Sequence, residues 1–289
     1  MVAVYSSHLI MAVLVFVLIF FSFGFVSGQA IAQKKIDTIK QRIPNQWWYG
    51  GWDEKVELES ILDDANTPKQ QKAQAQYYIS CQDSANRDYQ KALQGFRRVI
   101  ADYPEAWLEC QKAQFEIGQI YMYRLNDCTV AIDEYQKVID NYELSFVKAM
   151  SQMMIGRAYR RQKNYEAALK AYNKVAELYP SYLSEVTEAN LDIGDMNIEQ
   201  ITMGEIKRNE RDSKVKDSLA AYKKAYELSP IDNSEFMERA LEGIHRSLRC
   251  IDGDLVRANK FVKYQKYGSA GVDGKVGTDD DLTNPLESI

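Results

Sequence analysis

Cys81, Cys110, Cys128, Cys250, His8 and His245 are the side chains of this chain best suited to act as nucleophile, general base or metal ligand. Their spacing argues against all three roles. The cysteines form no CxxC, CxxCH or zinc pattern, and neither histidine has a partner at metal-ligand spacing. There is no GxSxG, Walker loop, GxGxxG or HExxH, and acidic pairs such as Asp63 and Asp64 are ordinary on an acidic helix surface. No catalytic residue is therefore expected. The cysteines read either as small buried hydrophobes on helices or as the source of one disulfide. The one feature with metal-binding composition is the stretch Gly268 to Leu282, GSAGVDGKVGTDDDL. It fails as an EF-hand, because placing Gly274 at the sixth position leaves Ser269 and Gly271 where the first two carboxylates belong. A looser calcium loop on Asp273, Asp279 and Asp281 stands as the alternative to a solvated or partner-bound tail, and no other cofactor is expected.

The remaining candidates serve contact rather than bond-making. Trp47, Trp48 and Trp52 crowd into six residues, and large rings give much contact area at little entropic cost. They read either as a knob for a partner or membrane interface or as part of a cap over the elements that follow. Charge excludes one class of partner. The chain carries a net −5, of which residues 268–289 account for −4 through Lys275 against Asp273, Asp279, Asp280, Asp281 and Glu287. A body so nearly neutral is not a nucleic-acid binder, since phosphate recognition needs a basic surface. Leu9 to Val26 is an uncharged apolar run of eighteen residues, long enough for a helix to cross a hydrocarbon core of about 30 Å. Small residues at Ser27, Gly28 and Ala30 follow it as in a cleavage site, while Lys34 and Lys35 lie just beyond and no Lys or Arg precedes it. The run is expected to be a signal peptide or a membrane anchor, which places the body in an exported, periplasmic or otherwise extracytoplasmic location, or tethered to a membrane.

The elements that would carry any contact surface are set by internal repetition. Four segments align without gaps: Asp88 to Pro104, Asp127 to Glu143, Asn164 to Pro180 and Lys214 to Pro230. Each has a small residue (Ala92, Ala131, Ala168, Ser218), an aromatic one four positions later (Phe96, Tyr135, Tyr172, Tyr222), and Val99, Val138, Val175 or Ala225 three beyond. That spacing puts all three on one helical face. Prolines 104, 180 and 230 stop three of these helices. A partner helix precedes each: Gly156 lies twelve residues before Ala168, Gly118 thirteen before Ala131, and Ser80 takes the glycine's place in the first copy. Ile31 to Ile43 reads as a further helix, ending before Pro44.

The stretch Ala149 to Tyr182, with Ile155, Gly156, Tyr159, Ala168, Tyr172 and Pro180 in order, resembles the tetratricopeptide repeat, a helix-turn-helix unit of 34 residues. The resemblance covers about residues 70–267, strongest in the middle. It implies an all-α fold, a right-handed α-α superhelix of about four to five helix pairs. The fourth copy departs from the pattern, since Gly194 precedes Ser218 by twenty-four residues, so about three helical turns or a loop are inserted. KRNERDSKVK within the insert reads as a solvated face or a hinge. Glu235 to Arg249 and Leu255 to Tyr267 read as a fifth or capping pair. The expected divisions are 1–28, signal or anchor; 29–69, an N-terminal cap with the tryptophan-rich loop; 70–267, the repeats; and 268–289, the acidic tail.

In that family the first helix of each repeat lines a concave groove through five of its positions. The resemblance assigns them to Lys112, Phe115, Gln119, Met122 and Tyr123 in one repeat and to Met150, Met153, Arg157, Arg160 and Arg161 in the next. Methionines and rings beside guanidiniums suit an extended segment with apolar anchors and carboxylates, such as the acidic tail of a second copy bound head to tail. The Asn and Lys set by which some members clamp a terminal carboxylate is missing. The resemblance thus implies a non-catalytic protein-protein interaction scaffold. The expected role is a structural or assembly subunit of an extracytoplasmic or envelope multi-protein complex, promoting oligomers, filaments or the assembly of a larger enzyme. The alternative is an envelope-biogenesis or chaperone-like adaptor that holds clients transiently.

Overall fold

The computed structural model describes residues 30–38, 55–143, 145–229 and 234–250. Every element among them is a helix. These are α1 (30–38), α2 Lys55–Asp63, α3 Lys69–Ala85, α4 Tyr89–Asp102, α5 Trp107–Tyr123, α6 Cys128–Asn141, α7 Ser145–Arg161, α8 Tyr165–Leu178, α9 Leu183–Thr202, α10 Arg208–Leu228 and α11 Ser234–Arg249. The apolar run Leu9 to Val26, Trp47, Trp48, Trp52, the helix read over Leu255 to Tyr267, and the tail with Asp273, Asp279 and Asp281 lie outside the described residues. Among the described residues no helix is long and apolar enough to cross a membrane. The chain forms two compact units, residues 1–138 and 139–289.

In the first unit α3 packs on α4 and α5 on α6, with α1 and α2 laid over α3. Ala32 and Ile36 of α1, Leu58 and Ile61 of α2, and Ala75 and Ile79 of α3 close into one apolar cluster. Lys55 fixes α2 further by pairing with Asp83 at 2.7 Å, and Lys72 Nζ donates to the Leu62 carbonyl at 2.7 Å. In the second unit α7 packs on α8 and α9 on α10, while α11 lies against both α9 and α10. Leu191, Ile198, Val215, Leu219, Tyr222, Ala240, Ile244 and Leu248 form its main core, drawn from all three of those helices.

The repeating face is the interior, as the spacing predicts. Phe96, Tyr135, Tyr172 and Tyr222 are buried, and so are Ala92, Ala131, Ala168 and Ser218. Three of the rings lie on glycine. A methyl group added at Gly118 would stand 2.7 Å from Cε1 of Tyr135, and one at Gly156 would stand 2.5 Å from Cε1 of Tyr172. Tyr222 is held between two glycines, Gly194 of α9 and Gly243 of α11. The first pair inverts the arrangement: Ser80 takes the glycine's place on α3 and points its hydroxyl at Gly95 of α4. A ring pressed on bare backbone brings two helices closer than any side chain between them would permit, and an added methyl there costs about 1–3 kcal/mol.

The turns joining each pair share one device. Arg87, Asn126, Lys163 and Gly204, one after each of α3, α5, α7 and α9, adopt positive φ between 55° and 69°. A left-handed residue after a helix lets the following amide reach back to an orphan carbonyl. Asp88 donates to Asp83, Asn164 to Tyr159 and Glu205 to Gln200, each five residues back. After α5 the corresponding amide, Asp127, reaches back six residues, to Tyr121. The extra residue of that repeat is absorbed there. Asp127 and Asn164 then open the next helices, their side chains accepting from the Val130 and Ala167 amides.

The insert in the fourth copy is helical. Relative to α7 and α8, about three of the twelve extra residues lengthen α9 beyond Gly194, seven lengthen α10 before Ser218, and two enlarge the connection. KRNERDSKVK is therefore the opening of α10 apart from Lys207, with Val215 buried and Glu210, Asp212, Ser213 and Lys216 exposed. It is a solvated face and not a hinge. Glu205 in the connection returns to the α7–α8 turn, bonding Lys163 Nζ and accepting from the Tyr165 hydroxyl at 2.5 Å.

Candidate functional site

The two sets of groove residues meet different fates, and each belongs to its own unit. In the second unit Met153 is buried and Met150 half-buried on α7. Arg157 and Arg160 face α9. Arg157 donates through Nε to Asp192 and through Nη2 to Glu188, both at 2.6 Å, and Arg160 meets Glu199 at 2.6 Å. Burial works against the Arg157 charge, but the Asp192 and Glu188 carboxylates outweigh it and raise the guanidinium above its usual range. The expectation that these guanidiniums await a partner's carboxylates is corrected. They are internal struts between successive repeats, and α9 supplies the acids. The sequence held the signal for this, because Glu188, Asp192 and Glu199 are spaced by four and seven on one face of α9. Arg161, at the end of α7, is exposed.

In the first unit the residues divide by depth. Met122 is fully buried with its sulfur 3.9 Å from the Tyr135 hydroxyl, and Phe115 packs its ring on Tyr135 with centroids 5.4 Å apart. Met122 is thus core and not groove, a second correction. Lys112 and Gln119 are half-buried and Tyr123 is 40 % exposed.

Phe115, Gln119 and Tyr123 share the wall of a cavity of about 350 Å³ with Cys81, Ser84 and Ala85 of α3, Arg87 and Tyr89 at the start of α4, and Glu116, Ile120 and Arg124 beside α5. The space opens between the first helices of two successive repeats because α3 and α5 both run beneath α4. Its chemistry is mixed. Rings and aliphatic carbons line it, with one half-buried carboxyl, that of Glu116, among them. Burial pushes that carboxyl up to about 7 and lifts the Cys81 thiol well above its ordinary value, so the thiol is not a nucleophile. Glu116 shares a helix face with Lys112, Gln119 and Tyr123 but falls outside the groove positions that the family resemblance assigns.

All four cysteines are free, Cys110 donating to the Val99 and Tyr103 carbonyls as a buried small residue does. Among the described residues no three His, Cys, Asp or Glu side chains come together to hold a metal ion. Asp273, Asp279 and Asp281, like Trp47, Trp48 and Trp52, lie outside those residues.

Residues 84–146 and 149–182 match models of the tetratricopeptide repeat. These two segments are similar to tetratricopeptide repeats. No curated protein and no solved structure matches the chain. Tetratricopeptide repeat proteins are generally non-catalytic adaptors, and the repeats mark this chain as a protein-protein interaction scaffold. The cavity lies between α3 and α5.

Proposed function

We propose that this chain is a structural or assembly subunit of an extracytoplasmic or envelope multi-protein complex, held at a membrane or exported by its N-terminal segment, and that it grips a polypeptide of its companion in the cleft between α3 and α5. The single observation that carries this reading is the cleft itself. It is open, lined by Phe115, Gln119 and Tyr123, and built on helices that other contacts already hold rigid. A preformed site takes a partner without first being ordered, which favours a lasting contact over a fleeting one. Head-to-tail association through Arg157, Arg160 and Arg161 is the weaker route, because two of those three guanidiniums are engaged by α9. The cleft of the first unit replaces it.

The test is purification of the full chain from its native membranes, wild type beside Gln119→Ala/Tyr123→Ala. A stoichiometric companion that survives 0.5 M salt (~3–4 Å screening length) with the wild type and is lost with the variant is the expected result. Substoichiometric, salt-labile clients would instead favour the adaptor reading. A companion retained equally by both proteins would remove the cleft from the account. Intact mass of the native chain decides whether residues 1–28 are cleaved.

A further inference from the structure

Glu116 lacks the fixed partner that several other carboxylates among the described residues have. Glu109 accepts from Gln70 at 2.5 Å, Asp83 pairs with Lys55, and Asp192 with Arg157. Among the described residues Glu116 makes neither a hydrogen bond nor an ion pair. Yet cations are near. Lys112 is one turn earlier on the same helix, and Arg87 and Arg124 belong to the same cavity wall. The other titratable groups around it are Tyr77 and Cys81 of α3, Tyr89 at the start of α4, and Tyr123 of α5, while Asp83 of α3 is engaged by Lys55 of α2. No residue of α6 lines the cavity.

We propose that the cleft between α3 and α5 receives a cationic side chain, lysine or arginine, from a partner polypeptide, its charge seated on Glu116 among the rings of Phe115, Tyr89 and Tyr123. The inference rests on the reading of the cleft as the partner site and adds the chemistry of what enters it. Two things point to a cation. A half-buried carboxylate lacking a donor gains more from an ammonium or guanidinium than from any neutral group. Aromatic faces add attraction for the same charge and little for an anion. The cleft thereby selects the opposite charge from the one expected of the α7 arginines.

Protonation follows from the same contact. Glu116 in the empty cleft titrates near pH 7, so a cation meets a carboxylate above that pH and a neutral acid below it. Engagement strengthens as pH rises through 7 and weakens as it falls, by about tenfold between pH 8 and pH 6, the change in the ionised fraction of a group titrating at 7.

The experiment uses the detergent-solubilised full chain, immobilised, and randomised nonapeptides whose central residue is fixed as Arg, Lys, Gln or Glu. Expected are at least about fivefold greater retention of the Arg and Lys sets at pH 8, its decline at pH 6, and loss of both the preference and the pH step in Glu116→Gln. A cation preference that survives Glu116→Gln, or a preference for the Glu set, overturns the proposal. Should Glu116→Gln fold poorly, the wild type decides: with Glu116 followed by carboxyl carbon resonance, an Arg-centred peptide must depress its titration midpoint, and an unmoved midpoint overturns the proposal. Tyr123→Ala separates the two levels. If it reduces retention of every set alike while no cation preference exists, the cleft stands and its charge selectivity falls; if it affects none, both fall.

Discussion

At the scale of single residues, the cost of Glu116 to the fold is the sharpest consequence. Its folded-state pKa lies near 7, above the ordinary 4.5, so the native protein holds this proton where the unfolded chain releases it. The fold is favoured by that proton below pH 4.5, and the advantage disappears as pH rises through 7. Glu116→Gln is therefore expected to raise the stability of the unliganded protein by about 1–3 kcal/mol at pH 8, with the gain shrinking through the window between 7 and 4.5. Urea unfolding of both proteins across that range measures it; a gain that is constant with pH would contradict the burial of an ionisable carboxyl. The residues that make the core were legible beforehand. Phe96, Tyr135, Tyr172 and Tyr222 recur with fixed companions, and recurrence on one helix face means a shared interior. Glu116 was not, because its state is set by burial in a cavity shared with α3, and no local pattern carries that.

Among elements, α7 and α9 are joined by charge as well as by apolar contact. Asp192 is 6 % exposed and Arg157 is its main counter-ion, with Arg160 at 3.9 Å a weak substitute. Arg157→Ala leaves a buried carboxylate without compensation and is expected to cost about 2–4 kcal/mol. Arg157→Ala combined with Asp192→Ala removes the charge as well as its partner and should recover part of that loss, which chemical denaturation of the three proteins reads directly; equal losses in the single and double variants would show that the pair contributes nothing specific. The twelve-residue insertion illustrates what spacing reveals and conceals. Its size follows from the distance between Gly194 and Ser218, but its division between α9, α10 and their connection depends on how Ile198, Ile201, Val215 and Leu219 find each other across the hairpin. The solvent-facing acids and bases that flank them looked equally compatible with a hinge.

For the molecule as a whole, the all-helical, paired architecture was readable because each repeat states the same instruction again. The boundary between units was not, for it falls within α6, where neither composition nor a proline or glycine marks a break. Cysteine usage is settled at this scale too. Sequence left a disulfide open; all four thiols are separate, in α3, α5, α6 and just beyond α11. A reducing agent is expected to leave the thermal midpoint unchanged, whereas one bridge closing a loop of tens of residues would contribute about 3–4 kcal/mol and its reduction would lower the midpoint by several degrees. Alkylation of the denatured, unreduced chain should add four groups to its mass.

Tyr222 has one further implication. Its ring is clasped from opposite sides by Gly194 and Gly243, and its hydroxyl donates to Asp195 at 2.5 Å, with the Arg246 guanidinium 6.0 Å above the ring. Half of that clasp belongs to α11. Whenever α11 lifts away, a phenol that is otherwise sealed meets solvent, so access of nitrating or oxidising chemistry to this one tyrosine is a clock for how often that helix lets go.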